Sequence, residues 1–478
     1  MALRTWQEYL ESVRDDRVVY VDGKRVKDVT RDHPGTKGLA AVCASDYKMA
    51  LDPRYHDLLV EKVDGEEVSF VFVAPRSGED LMRRRQIIQT TARLCLGSPG
   101  GAKFTGIDGL NGLAVISWRM DNQLGTNYAE RLENYRKFCQ KSDPAMALAM
   151  TDAKGDRSLR PSRQKTHLDY YLRIVDRGSD GIVVRGCKIH ISGAACCNEM
   201  IVLPCRAMSE EDKDYAVAFA LPLNAKGVTL IGNADTGVHA MVVFDDVFVP
   251  MDRVFLAGEW QFAGELAYMF GNYHRLSADS YKYMQLEIMV GLAALLAEYN
   301  GLENASHVRD KLAWLAMYAE GTEALGKAAA QNCVIDPESG LAYPNILYSN
   351  VAKFFFADNY HQAEKHLQDI TGGIAATLPS LADLENPETR RMVEKYLGGK
   401  DGIPTEHRIR AIQYAQQLTS SEHGVTTIHA EGSLAAQRIT LWAMEDWDRF
   451  KAAAKRAIGI ETDHPDFAQL PPFPMVEL

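Results

Sequence analysis

Tyr171-Leu172-Arg173-Ile174-Val175, Gly178-Ser179-Asp180-Gly181 and Ile182-Val183-Val184-Arg185 read as strand, turn, strand: β-branched runs separated by residues that favour tight turns. The same texture continues in Met200-Ile201-Val202-Leu203-Pro204, in Tyr215-Ala216-Val217-Ala218-Phe219-Ala220 and from Ala240 to Pro250. Short strands with close turns and no long helix between them predict a small antiparallel β-barrel domain over residues 146–265. Before it, Trp6 to Val13 and Tyr128 to Tyr135 space apolar residues three and four apart, which predicts an N-terminal helical domain over 1–145. After it, Tyr283 to Tyr299, His307 to Ala324 and Ile346 to Gln368 are long helical patterns. They predict a C-terminal helical bundle over 266–460, followed by a tail over 461–478. The expected class is α+β, in the order helical, β, helical.

A chain of 478 residues with 46 % hydrophobic and 24 % charged residues has ample material for several packed cores and the composition of a soluble globular protein. Its net charge of −11 argues against a grip on phosphate backbones, so nucleic acid is not expected as a partner. Arg83-Arg84-Arg85, preceded by Glu79 and Asp80, reads as a solvated helix face. The N-terminus has no apolar signal core, and the longest apolar run, around Met289 to Ala297, falls far short of the roughly 20 residues of a membrane span. A cytoplasmic protein with no membrane association is expected. Eight scattered cysteines with no CxxC pair form neither a disulfide nor a zinc framework; Cys196-Cys197 reads as buried small side chains and Cys95 as core. GxGxxG after a strand, GxxxxGK[ST], GxSxG and HExxH are all absent.

Chemistry is suggested by longer runs. In Met150-Thr151-Asp152-Ala153-Lys154-Gly155-Asp156-Arg157-Ser158-Leu159-Arg160-Pro161-Ser162-Arg163-Gln164, Gly155 lets the backbone approach a ligand, Lys154 and Arg157 supply charge for a pyrophosphate, and Pro161 stiffens the turn. This run, the strand Ile182 to Gly193, Phe244 to Arg253, Asn304 to Leu312, Asp369-Ile370-Thr371-Gly372-Gly373 and His429 to Arg438 together resemble the 4-hydroxybutyryl-CoA dehydratase and 4-hydroxyphenylacetate 3-hydroxylase family of flavoproteins.

That resemblance spans nearly the whole chain and implies an acyl-CoA dehydrogenase-like fold that encloses FAD, as a homotetramer or homodimer. It makes Lys154, Gly155, Asp156, Arg157, Pro161 and Ser162 flavin contacts, with Ser192 beside the reactive ring nitrogen. The adenine end is expected across a subunit interface, against Gly372, Gly373, His429, Gly432 and Ser433. Oligomerisation would then be part of cofactor binding.

The wording is nearer the dehydratase, yet the places of its four cluster ligands are here Gly100, Phe104, His274 and Tyr281. Neither glycine nor phenylalanine replaces a thiolate, so no iron–sulfur cluster and no other metal is expected. His239 and Thr426 stand where the dehydratase has acidic residues, and Thr105, Gly109 and Leu148 stand near the hydroxylase's phenol-reading positions. Gly100, Gly101, Gly106 and Gly109 would either enlarge the cavity or form a flexible loop.

His274, freed of its cluster partners, suits general acid–base work; Arg275, Tyr281 and Lys282 follow it on one helical segment and complete the candidate catalytic set. His190 and His239 read as structural. The expected activity is that of a flavin-dependent oxygenase of monooxygenase type. It would use O₂ and reduced FAD, supplied by a separate flavin reductase or bound tightly, on an aromatic or acyl-CoA-like small molecule. The alternatives are a redox-neutral FAD-dependent dehydratase or isomerase, an acyl-CoA dehydrogenase, or a flavin-binding scaffold without catalysis.

Overall fold

A computed structural model describes residues 3–97, 103–234 and 236–469. The β region forms two sheets. One has six strands in the order Lys24–Val26, Val18–Val21, Val228–Gly232, His239–Pro250, Gly181–Ser192 and Arg173–Arg177. The other has four, in the order Val254–Ala257, Val217–Pro222, Glu199–Val202 and Met146–Ala149. Burial alternates along Gly181–Ser192 and His239–Pro250, so one face of the larger sheet turns inward; Glu199–Val202 and Met146–Ala149 are buried throughout. Val184, Val202, Phe219, Val242 and Phe244 belong to one core drawn from both sheets.

The barrel expectation is modified in two respects. Among the described residues no strand pairing closes the sheets into a ring, and two pairings, Val18–Val21 with Val228–Gly232 and Met146–Ala149 with Glu199–Val202, are parallel. The N-terminal region is largely helical as expected, but it also contributes strands to the larger sheet. There Asp22 and Gly23, both at positive φ, make the two-residue turn between Val18–Val21 and Lys24–Val26.

The helical parts meet along Trp260–Tyr299, a helix of 40 residues. Its first half packs on Phe104–Leu124, and its second half shares a bundle core with Ser306–Gln331 and Ile346–Thr371, through Leu286, Leu296, Leu315, Phe356 and Leu367. Gly106 and Gly109 do not open a cavity. A Cβ on Gly106 would lie 2.4 Å from the Met146 Cβ, and one on Gly109 2.2 Å from the Leu148 Cδ1, so the missing side chains let the helix close on the Met146–Ala149 strand. Gly100 and Gly101 lie outside the described residues.

The solvated reading of Arg83-Arg84-Arg85 is overturned. A Ser77–Asp80 capping box starts their helix, Gly78–Leu94, which is wedged against Trp260–Tyr299 and Ser306–Gln331. Arg83 reaches Glu61 at 2.6 Å, while Arg84 and Arg85 are buried on Asp108 and Glu323. Cys196 and Cys197 are buried as expected, but Cys95 is only half-buried, between the exposed Leu94 and Leu96. Among the described residues no helix is long and apolar enough to cross a membrane.

Candidate active site

Phe104 and Tyr281, two of the positions where a cluster-bearing relative would need ligands, pack against each other with ring centroids 6.1 Å apart, in an apolar cluster with Ile88, Ala92, Ala278 and Met284. Neither side chain offers a thiolate, and the space between them is filled by carbon, so the donor set does not suit an iron–sulfur cluster. Gly100 lies outside the described residues. His274, the one retained ligand type, has another partner: its Nδ1 lies 2.9 Å from the Asp108 Oδ2. Asp108 is fully buried, also receives Arg84 at 2.5 Å and the Ser277 hydroxyl at 2.9 Å, and is thereby held as an acceptor. A proton on Nδ1 then leaves Nε2 of His274 as the free ring nitrogen, oriented by a carboxylate and stacked on Phe270 at 5.0 Å.

Glu431 is the centre of the site and was not singled out in the sequence. Its carboxylate accepts the Tyr281 hydroxyl on one oxygen and the Lys282 amine on the other, and Lys353 stands 3.9 Å away. Lys282, Lys353 and Glu431 have side chains 0 %, 0 % and 3 % exposed, so this is a charge network out of reach of water. Burial alone would raise the carboxyl, but Lys282, Lys353 and His274 together hold Glu431 down at about 2. Burial and the adjacent carboxylate push the Tyr281 phenol far up, so it keeps its proton and donates it. Glu431 also sits at φ +60, a left-handed conformation that costs a non-glycine residue on the order of 1 kcal/mol. By the sequence resemblance, Thr426 stands in the place of an acidic residue of the dehydratase; the acid of this network is Glu431, five residues on.

Asp279 is buried one helical turn before this network, with neither carboxylate oxygen hydrogen-bonded. Burial raises it to about 8 against the pull of Arg85, Lys282 and Lys353. Because the folded chain keeps this proton up to about pH 8, whereas an unfolded aspartate releases it near 4, stability falls as pH rises through that window. Asp279→Asn removes the slope. Urea midpoints are expected to show the variant gaining on the wild type by on the order of 1 kcal/mol per pH unit between roughly pH 5 and 8. Lys353, lowered to about 6 by burial and by Lys282, slopes the opposite way above pH 6, so the difference between variant and wild type carries the signal.

A second group of candidates lies at the strand ends. Ser192 pairs in register with His239, and its Oγ lies 2.7 Å from the His239 Nδ1. A bulge at this point puts the neighbouring His190 at φ +64. Burial lowers His190, with Lys154 adding to the effect, and burial also lowers His239, so both rings are neutral hydrogen-bonding groups near pH 7. Lys154 and Gly155 are both left-handed, but a Cβ on Gly155 would lie 2.4 Å from the Tyr170 ring and 2.6 Å from Gln164; internal packing is what this glycine serves. Asp156 caps its own loop through Ser158, Ser162 is tied to Asp212 at 2.6 Å, Pro161 is buried and Arg157 is exposed.

The helix Glu422–His429 spans the two groups. Asn233 holds Glu422 at 2.8 Å beside the strand ends, and the turn after His429 delivers Glu431 and Gly432 to Tyr281, Lys282 and Arg275. Eight residues make this helix about 12 Å long. Ser433 caps the next helix, Leu434–Met444. Gly372 and Gly373 are not part of this assembly. They end Ile346–Thr371, where Asn300 holds the Ile370 carbonyl, so they lie roughly 27 Å along the long helix from Lys282.

Among known proteins, the model described as "4-hydroxyphenylacetate 3-hydroxylase N terminal" matches residues 5–256, and its "C terminal" counterpart matches 263–459. The 4-hydroxybutyryl-CoA dehydratase/vinylacetyl-CoA-Δ-isomerase of Clostridium aminobutyricum is 34 % identical over 96 % of this chain and 100 % of its own length. The solved structure of an oxygen-tolerant archaeal 4-hydroxybutyryl-CoA dehydratase from N. maritimus superposes with a TM-score of 0.90 at 30 % identity, covering 96 % of each chain. The oxygenase component of a 4-hydroxyphenylacetate 3-monooxygenase, solved with FAD, gives 0.85 at 25 % identity over 95 % of this chain and 98 % of that one. The chain belongs to the enzyme family of 4-hydroxyphenylacetate 3-hydroxylase and 4-hydroxybutyryl-CoA dehydratase.

Proposed function

We propose that this protein is an FAD-dependent monooxygenase that acts on an aromatic or acyl-CoA-like small molecule. The observation that carries the reading is the packed Phe104–Tyr281 pair: carbon fills the place where a dehydrating relative needs thiolate ligands to a Lewis-acidic cluster. The strand-end groups fit a flavin. Ser192 and His239 offer hydrogen bonds for the ring, and Lys154, Arg157 and the helix N-terminus at Ser433 offer charge and amides for its phosphates. Reduced FAD supplies the two electrons with which one atom of O₂ enters the substrate and the other leaves as water. Asp108 fixes His274 with Nε2 open to take or return a substrate proton, and Tyr281 with Glu431 and Lys282 forms a water-free wall that holds a proton at the phenol oxygen.

By analogy with oxygenase components, a separate flavin reductase provides the reduced cofactor. A homotetramer or homodimer fits two observations: Gly372-Gly373 is too far from Lys282 to serve the same flavin within one chain, and Ile439, Trp442 and Ile458 expose 67 %, 70 % and 71 % of their surface. The second reading is a cluster-free, redox-neutral dehydratase or isomerase. The buried Tyr281–Glu431–Lys282 set favours it, since proton transfer alone would occupy such a network.

Reduced FAD, the protein and a panel of phenols and CoA esters, exposed to ¹⁸O₂, are expected to give labelled product with one O₂ consumed per turnover. Iron should be absent, as should the broad absorption near roughly 400 nm of thiolate-ligated clusters. Turnover of an unsaturated CoA ester without oxygen would replace this reading with the second.

A further inference from the structure

Arg275 is a buried guanidinium with no counter-charge in contact. It is 8 % exposed, its Nε has no hydrogen-bond partner, and among the described residues it forms no ion pair. An unpartnered Nε is shared with Arg84 and Arg85, but each of the other deeply buried arginines has a direct partner elsewhere on its guanidinium: Arg17 on Asp15 and the carbonyls of Ala195 and Cys197, Arg84 on Asp108, Arg85 on Glu323, Arg136 on Asn111 and the Phe72 carbonyl. Tyr268, Asp279 and Glu431 act on it only through space, and a guanidinium, unlike a buried lysine, cannot shed its proton, so a direct anionic partner has to come from outside the chain's own side chains.

Its surroundings are open toward such a group. A Cβ on Gly271 would lie 3.4 Å from one terminal nitrogen of Arg275, and one on Gly432 3.5 Å from the other, so the two positions flanking the fork carry no side chain to cover it. Gly432 immediately precedes Ser433, the cap of the helix Leu434–Met444, whose positive end is thereby brought to the same place. Gly264, Tyr268, Gly271 and Arg275 recur at helical spacing along the long helix. A cavity of about 390 Å³ lies at the Gly264–Tyr268 end of that stripe, walled also by Met269, Tyr343, Ile346, the mutually paired Arg119 and Glu265 and, from the far end of Leu434–Met444, Met444. Leu434–Met444 packs along Ile346–Thr371, and its two ends approach the long helix, one at the mostly apolar chamber and the other at the unpaired fork, so that a groove connects them.

We propose that Arg275 and the N-terminus of Leu434–Met444 form a receptor for an oxyanion, a carboxylate or phosphate, carried by a ligand whose apolar or aromatic body extends along this groove. The chemistry has two sources, the pyrophosphate of a flavin and the acid group of a substrate. Only the flavin arm rests on the monooxygenase reading; the oxyanion site itself does not.

Arg275→Met and Arg275→Lys test it in the full-length protein. Without ligand, Arg275→Met is expected to melt several degrees above the wild type, because an unpaired buried charge has been removed. Inorganic phosphate and benzoate, used as probes, should raise the wild-type midpoint, raise that of Arg275→Lys less, and leave Arg275→Met unmoved. Flavin fluorescence separates the sources. FAD affinity falling about tenfold or more in Arg275→Met with riboflavin unchanged assigns the site to the pyrophosphate. Unchanged FAD affinity with lost benzoate protection assigns it to a substrate acid. If Arg275→Met melts below the wild type and phosphate, benzoate and FAD bind it as before, the residue is structural and the proposal fails. A change in assembly mass with ligand binding intact would mean that a second copy supplies the anion, which also overturns it. Absence of flavin turnover with phosphate protection intact would sink the monooxygenase reading alone.

Discussion

Glu431→Gln is expected to cost roughly 3–5 kcal/mol of stability, the range measured when one partner of a buried ion pair is removed. The amide has the shape of the acid, so no cavity opens and the left-handed backbone at this position is unchanged. What disappears is the negative charge facing Lys282, whose side chain is fully buried. Tyr281 also exchanges a charged acceptor for a neutral one, which weakens its hydrogen bond. Urea or thermal midpoints give the size of the loss, and the double variant with Lys282→Met identifies its origin. If the ion pair is the cause, the double variant should be markedly more stable than the sum of the two single losses. A single-variant loss under about 1 kcal/mol would mean that Lys282 is held neutral and the network carries no charge pair.

Lys188→Met should be comparably damaging, but at the other end of the candidate site. Lys188 is 2 % exposed on the inward face of Gly181–Ser192, with its amine 2.9 Å from Asp152 and 2.8 and 2.9 Å from the carbonyls of Met150 and Leu203. Asp152 in turn accepts the Leu172 amide at 2.9 Å. One cation therefore ties the root of the Lys154–Arg157 loop to the strand that ends in Ser192. Methionine fills the volume, leaves the buried Asp152 without its counter-charge and takes a donor from two carbonyls, an expected loss of about 3–5 kcal/mol. Because the loop precedes any ligand contact, flavin titration should show weakened binding in whatever fraction still folds. Asp152→Asn with Lys188→Met should recover part of the stability. Full flavin affinity in the single variant would separate the loop from the cofactor site.

These two residues also show where the sequence is transparent and where it is not. β-Branched runs between turn residues marked parts of Gly181–Ser192 and His239–Pro250, and long helical patterns marked the bundle helices, because such signals are local to a single element. The Asp22-Gly23 turn was equally local, a two-residue hairpin signal between Val18–Val21 and Lys24–Val26, and was passed over in a stretch that otherwise reads as helical. The parallel pairings had no local mark at all. Within the site, His274, Arg275, Tyr281 and Lys282 were found as neighbours on one helix. Their partners Asp108, Lys353 and Glu431 come from other elements, and what unites them is three-dimensional proximity. Even so, Asp108 between Ile107 and Leu110, and Lys353 beside Phe354-Phe355-Phe356, were charges embedded in apolar helical runs. Such charges are rarely buried unless paired, and that was the available signal.

The parallel pairing of Val18–Val21 with Val228–Gly232 has a consequence for biosynthesis. Val18 emerges from the ribosome about two hundred residues ahead of its partner Thr229, an interval of roughly 10–40 s at ordinary elongation rates. For that time the Val18–Val26 hairpin shows an unpaired strand edge, and the larger sheet cannot form until His239–Pro250 has also been made. The Val18–Val21 strand is thus a docking edge for a segment made much later, and a nascent chain stalled before residue 228 lacks the partner of that edge.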